Sequence, residues 1–390
     1  MSLQILTLAQ AQTHWWQRQL LTDTAPAERA LTEVVSRIGW IPLSTLVSAP
    51  LALFARRAIE SRATLDQALC HDHSLVIVPG PRGLTWLTSA FEAPLLRAFA
   101  VADLASREAR IAASVPLTAG ELDQTREALR ASLSVPQSVD SLRARLPAVA
   151  KRSLGDAGKR NGTATVGALV LRQLWSVGEV MRVPPSSRAD DPTTRWQIDP
   201  MPRTTPTAAE AVSHVASRWL QAFGPAPIKL FANAFGLAVG RAKAAFEALN
   251  AREVIVQGIA DPCWVPHDFV APEAMDLPAR ILPVRDPLTD IHLQHLAGPT
   301  VAKLLVSKQH GVGATAIFRG QILGGWSYDE GARRGHARWM TANVPAEAAR
   351  AIEEELARVA DFIASELGAV PLHTVIPQRS ATALEASLSL

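Results

Sequence analysis

The sequence predicts an α+β protein, mainly α, on three observations. Three stretches repeat one grammar, in which helices with an apolar stripe are followed by short β-rich pieces. The third copy is the clearest. Gly224-Pro-Ala-Pro-Ile-Lys-Leu-Phe-Ala-Asn-Ala-Phe-Gly236 reads as a short helix and a tight turn, 237–249 as a second helix, and 254–256 with 263–265 as a strand pair. Beyond residue 283 the texture changes to a β-hairpin, 314–318 and 321–328, and an amphipathic helix from Pro345 to Leu367. Together these predict tandem winged-helix (helix-turn-helix) domains, then a small C-terminal β-barrel or sheet with a closing helix. The expected boundaries are 1–115, 116–206, 207–275 and 276–390.

In the first segment, helices are expected over 10–21 and 27–38, a strand pair near 75–78 and 83–87, and a helix over 91–113. The second opens where Thr118 can cap a helix and continues through 138–146. A basic, glycine-bearing insert then carries Lys151, Arg152, Lys159 and Arg160. A helix over 165–177 and strands at 180–183 and 194–198 complete that unit. In the third, Ile228, Leu230, Phe231 and Phe235 mark one buried stripe, and Leu237, Val239, Ala242, Phe246 and Leu249 the next. Gly236 supplies the backbone freedom of the turn between them. Arg241 and Lys243 fall off the second stripe, where a recognition helix needs cations for phosphate or base edges. The same helix pair could instead dock protein, so the element alone leaves both uses open. Residues 381–390 read as a loose tail.

Composition narrows the class. The 390 residues, 48% of them apolar, are enough for two to four compact units. Basic side chains number 39 against 36 acidic, for a formal net charge of +3, so any nucleic-acid surface depends on where the cations are placed. The two cysteines, Cys70 and Cys263, argue against a disulfide scaffold. No apolar run reaches the roughly 18 residues of a membrane span. A soluble, cytoplasmic protein is expected, without membrane association and as a monomer. Cys70-His-Asp-His73 lacks a second ligand pair, so no metal is expected. No phosphate loop or nucleophile elbow occurs, and no cofactor is implied.

The order of several motifs carries a resemblance. They are the N-terminal helix ending Arg18-Gln-Leu20, Arg82-Gly83 before an apolar strand, and Phe223-Gly-Pro225. Leu282-Pro-Val-Arg-Asp-Pro-Leu288 and the hairpin with Gly320, Gly324 and Trp326 follow. In this order they resemble the bacterial winged-helix DNA glycosylases that excise alkylated bases and unhook interstrand crosslinks. The resemblance covers nearly the whole chain and implies double-stranded DNA, alkylated or crosslinked, as the partner. It also implies a concave basic face.

The family's active-site motif is where the chain departs. There a glycine after the second helix is followed by glutamine, an apolar residue, and glutamine or aspartate. Here Gly39-Trp-Ile-Pro-Leu-Ser-Thr45 puts Pro42 and Ser44 at the two catalytic positions. Excision of a cationic base needs a positioned water and stabilisation of positive charge on the sugar. Proline offers no side-chain donor or acceptor, and a serine hydroxyl is a weak, short base. Little or no excision by the usual route is therefore expected, leaving binding of damaged or distorted DNA, with a diverged glycosylase or a non-enzymatic regulator as alternatives. Gln17 and Gln19 also form a Gln-x-Gln, but it lies about twenty residues early and reads as coincidence. Asp286, near His292 and His295, is the candidate surrogate carboxylate. The expected DNA contacts are Arg82, Lys159, Arg160, Arg172, Arg182, Arg188, Arg241 and Lys243.

Overall fold

A computed structural model describes residues 3–22, 29–43, 45–186, 188, 193–200, 206–307, 311–341 and 343–368. Ser44 and the expected tail at 381–390 lie outside the described residues. Within them, one order of elements occurs three times: helix, short strand, helix, helix, strand, strand. The first set is Leu31–Arg37, Ile41–Leu43, Ser48–Ala55, Arg62–Asp66, Leu75–Pro79 and Thr85–Ser89. In the second, Ala119–Ser132, Gln137–Ser138, Val139–Arg145, Val166–Val177, Val180–Val183 and Arg195–Ile198 play these parts. The short helices Ala148–Lys151 and Gly155–Arg160 are inserted there. The third set is Ala208–Phe223, Ala226–Pro227, Ile228–Phe235, Val239–Ala248, Arg252–Val256 and Cys263–Val265. In every set the last strand pairs antiparallel with both of the others.

Local chemistry explains where helices start. Thr7 with Gln10, Thr118 with Glu121 and Thr207 with Glu210 each form a reciprocal capping box, satisfying donors that a helix start leaves unpaired. Two helices of the first set, Ser48–Ala55 and Arg62–Asp66, lie outside the expected ones, although Ser61 caps the second by accepting from Ala63 N at 3.2 Å. All eight residues of the former are buried, so it shows no amphipathic period.

The sets are fused. Strand Leu75–Pro79 meets Val180–Val183 at Ile77 and Arg182, joining the first two sets in one six-stranded sheet. The N-terminal strand Gln4–Leu6 runs parallel to Arg252–Val256 and so belongs to the sheet of the third set. Helix Leu8–Arg18 follows it and anchors there, with Trp15 Nε1 donating to Pro225 O at 3.1 Å. One correction concerns Val239, expected in the buried stripe. It starts its helix 47% exposed, while Ala242 and Phe246 are fully buried.

The C-terminal hairpin forms within an antiparallel sheet in the order Arg280–Leu282, Thr315–Phe318, Gln321–Asp329, Arg334–Trp339. No pairing joins its outer strands among the described residues, so it is the open-sheet form of the expectation. Helix Ala346–Phe362 follows Pro345, and Phe362 stacks on Phe54 with centroids 4.0 Å apart, tying the end of the chain to its first set.

Candidate nucleic-acid interface

The stretch matching the family's catalytic motif lies at a sheet edge. Gly39 holds φ +80°, and a Cβ there would sit 2.5 Å from the Phe223 ring, so only glycine fits. Strand Ile41–Leu43 follows as the outermost strand of the six, with Pro42 opposite Trp86. An edge strand tolerates proline because its missing N–H can face away from the ladder.

Behind Pro42 is a hollow of about 20 Å³, walled by Trp40, Trp86, Trp219, Phe223 and Phe235. One acidic residue lines it, and it is Asp290 rather than Asp286. Asp290 sits in the first turn of helix Pro287–Leu296 with its side chain 22% exposed. Burial raises its pKa, opposed by Arg285, by the Val312 N–H and by the charge of Arg82. Arg285 Nη1 lies 3.3 Å from its Oδ2.

Asp286 has a different life, and the expectation of a cleft-facing surrogate is corrected. It is fully buried and clamped by Arg56, Nη1 to Oδ2 at 2.6 Å and Nη2 to Oδ1 at 3.0 Å. It also caps its helix, accepting from Leu288 N at 3.0 Å. Arg56 in turn binds the Gln19 carbonyl and side chain, and Gln19 Nε2 donates to Ile38 O and Ala222 O. Every member of this knot is committed to structure, Gln19 of the early Gln-x-Gln included.

Phe235 also lines a larger groove of about 320 Å³, with Arg82, Phe99, Gly236 and Arg241 on its walls. Arg82 is exposed at φ +61°, lies over Gly236 and reaches Asn233 O at 3.2 Å. Arg241 is exposed, with Nη2 3.3 Å from Ala208 O. Beside Arg82, the Arg107 guanidinium rests against Gly83, 2.2 Å from where a Cβ would stand. Arg107 Nη1 and Arg172 Nη1 both reach Asn161 O, at 3.4 and 3.5 Å, and Arg110 Nε reaches Asn161 Oδ1 at 3.0 Å. Lys159 and Arg160 are exposed on the helix just before Asn161. A series of basic side chains therefore links Arg241 and Arg82, on the groove, through Arg107 beside Gly83 to Arg110, Arg172, Lys159 and Arg160 around Asn161, with one carboxylate, Asp103, paired to Arg107 at 2.9 Å inside it.

Other expected contacts fall elsewhere. Arg182 is 1% exposed, sandwiched between Trp175 and Trp196 at 5.4 and 5.5 Å, and burial pulls its pKa down to about 10. It cannot reach a phosphate; its place on a strand rich in apolar neighbours was the unread signal. Arg188 is half-buried, its N–H bound to Ser186 Oγ at 3.3 Å. Lys243 is exposed and pairs with Glu247 at 3.7 Å. Among the described residues no cluster of three or more His, Cys, Asp or Glu side chains could hold a metal ion. Nor is any described helix long and apolar enough to cross a membrane.

This architecture has known relatives. The family model described as DNA glycosylase AlkZ-like matches residues 35–362. The chain belongs to that family. Among solved structures the AlkZ-like fold is shared with the DNA glycosylase AlkZ of Streptomyces sahachiroi, at a TM-score of 0.71 and 19% identity. The match covers 93% of this chain and 98% of that one, so the fold is common over most of both. No curated protein matches the sequence.

Proposed function

We propose that this AlkZ-like protein binds double-stranded DNA, alkylated or otherwise distorted, and that base excision by the family's glutamine-x-glutamine or aspartate route is weak in it. The three helix–strand–helix–helix–strand–strand sets are read as winged helices, with Val239–Ala248 as the recognition helix of the third. The observation that carries the reading is the basic stripe, because aligned guanidiniums follow a phosphate backbone and release its counterions. Its place beside the Pro42 hollow supports contact between a bound duplex and the motif position.

Pro42 is the reason for weak excision. A side chain without donor or acceptor cannot hold a water over the sugar, and a lost positioning contact typically costs on the order of 10²-fold in rate. The test is release of base from a duplex carrying 7-alkylguanine, by the parent and by a Pro42→Gln, Ser44→Asp variant. The variant is expected to be at least about tenfold faster, since that is well under the cost of one such contact. Equal rates would refute the account of the motif while leaving DNA binding untouched.

A further inference from the structure

The hollow behind Pro42 is too small for a nucleobase but not for the other reactant. Its volume is about 20 Å³, and one water needs roughly 10–15 Å³ of such space. A water also needs polar partners. Asp290 is the one acidic residue among those lining the hollow, and two others, Trp86, whose indole edge lies against Gly80, and Trp219, each carry a buried indole N–H that no described residue accepts. The rest of the lining is apolar, Trp40, Phe223 and Phe235 with Pro42, Ala234, Pro287 and Ile291, and a carboxylate beside such a wall acts more strongly on a nearby cation than one in open water.

From this geometry we infer that Asp290 holds the hydrolytic water of a diverged excision site, standing in for the side chains that Pro42 and Ser44 lack. The inference rests on the DNA-binding reading and gives it a reaction. The substrate class is a purine nucleotide carrying a formal positive charge on an alkylated ring. The water oxygen forms a bond to the sugar C1′ as the bond from C1′ to the base nitrogen breaks. The bonding pair leaves with the base, cancels its positive charge and makes it a neutral leaving group. The water proton passes to the Asp290 carboxylate and from there to solvent. Before the proton moves, the same carboxylate stabilises the positive charge developing on the sugar. Atoms and charge balance without oxidant, reductant or metal.

Arg285 at 3.3 Å and the Val312 N–H hold the carboxylate of Asp290, which lines the hollow. Asp286 cannot serve, since both its oxygens are spent on Arg56 and Leu288.

The experiment measures single-turnover release of 7-methylguanine from a duplex with full-length protein in excess, for the parent, Asp290→Asn and Asp290→Glu. Duplex binding and thermal unfolding are followed in parallel. Asp290→Asn keeps the shape and an acceptor for the Val312 N–H, so binding should stay at the parental value and the unfolding temperature should not fall. Release should fall at least about tenfold, as removal of one positioned acid–base group does, and Asp290→Glu should restore part of it. Release by Asp290→Asn at the parental rate would overturn the inference. So would a parent that binds the duplex but releases base no faster than a protein-free control. A parent that fails to bind duplex at low salt would sink both this inference and the reading it rests on, and the binding arm reports that separately.

Discussion

The two ends of the first turn of helix Pro287–Leu296 hold carboxylates four residues apart in opposite circumstances. At the cap, Asp286 is fully buried, bidentate to Arg56 and bound to a backbone N–H, in a knot that ties residues 19, 56 and 286 together. One turn on, Asp290 holds one ion pair, to Arg285 at 3.3 Å, and the Val312 N–H, and lines a hollow walled in part by aromatic rings. The same side chain is structural in one place and available for chemistry in the other. What separates them is the number of acceptor sites already used, not their distance from the motif.

The sharpest way to break this contrast is to exchange the fates of the two residues. Asp286→Ala leaves a buried guanidinium without its counter-ion, and breaking one side of a buried pair costs about 3–5 kcal/mol. Chemical unfolding should show a loss of that size. Asp290→Asn should change stability far less, by under about 1 kcal/mol, as for a partly exposed pair. The reverse order would mean that Asp290 is the structural carboxylate.

Acid titration separates the regions by sign. Burial lowers the pKa of His14 to about 4 and that of His292, beside the knot, well below 6.5. The unfolded chain therefore takes up these protons first, and the histidines remove stability as pH falls from about 6.5 toward 4. Asp290 runs the other way. Its pKa is raised in the fold, so its ionised form costs stability at neutral pH, and that cost is relieved as pH falls through its folded value toward 3.8. Unfolding free energies measured from pH 7 to 4 should decline overall, and the decline should be steeper for Asp290→Asn, which lacks the compensating term. An identical slope for parent and variant would remove the distinction.

Much of the fold was legible because capping and periodicity are local. Thr118 announces its helix, and the apolar runs at 180–183 and 263–265 announce strands that pair as expected. Helix Ser48–Ala55 was not, because uniform burial erases the period that reveals a helix. The site was legible only in part. Arg241 stands out as a cation off an apolar stripe and Arg82 through the Arg82-Gly83 motif, but Arg107 comes beside Arg82 only through packing on Gly83, and Arg107, Arg110 and Arg172 meet at Asn161, more than fifty residues from the first two. Arg182 looked equivalent to Arg172 in sequence, yet two tryptophans from different elements enclose it. Asp286 carries the resemblance to the family, whereas Asp290 gains its role from a hollow assembled by residues 39–42, 86, 219–235 and 287–291.

The central claim is that the stripe from Arg241 to Arg160 binds the phosphates of duplex DNA, and its most direct test is equilibrium binding to a duplex across a range of salt. The account predicts that log K falls linearly with log salt, with a slope near 0.9 for each phosphate neutralised. Arg82→Ala and Arg107→Ala should each lower that slope by about one contact's worth. Arg182→Ala should leave it unchanged, because that guanidinium is enclosed by Trp175 and Trp196. Binding that ignores salt, absence of binding at low salt, or a slope that responds to Arg182 and not to Arg82 and Arg107 would contradict the account.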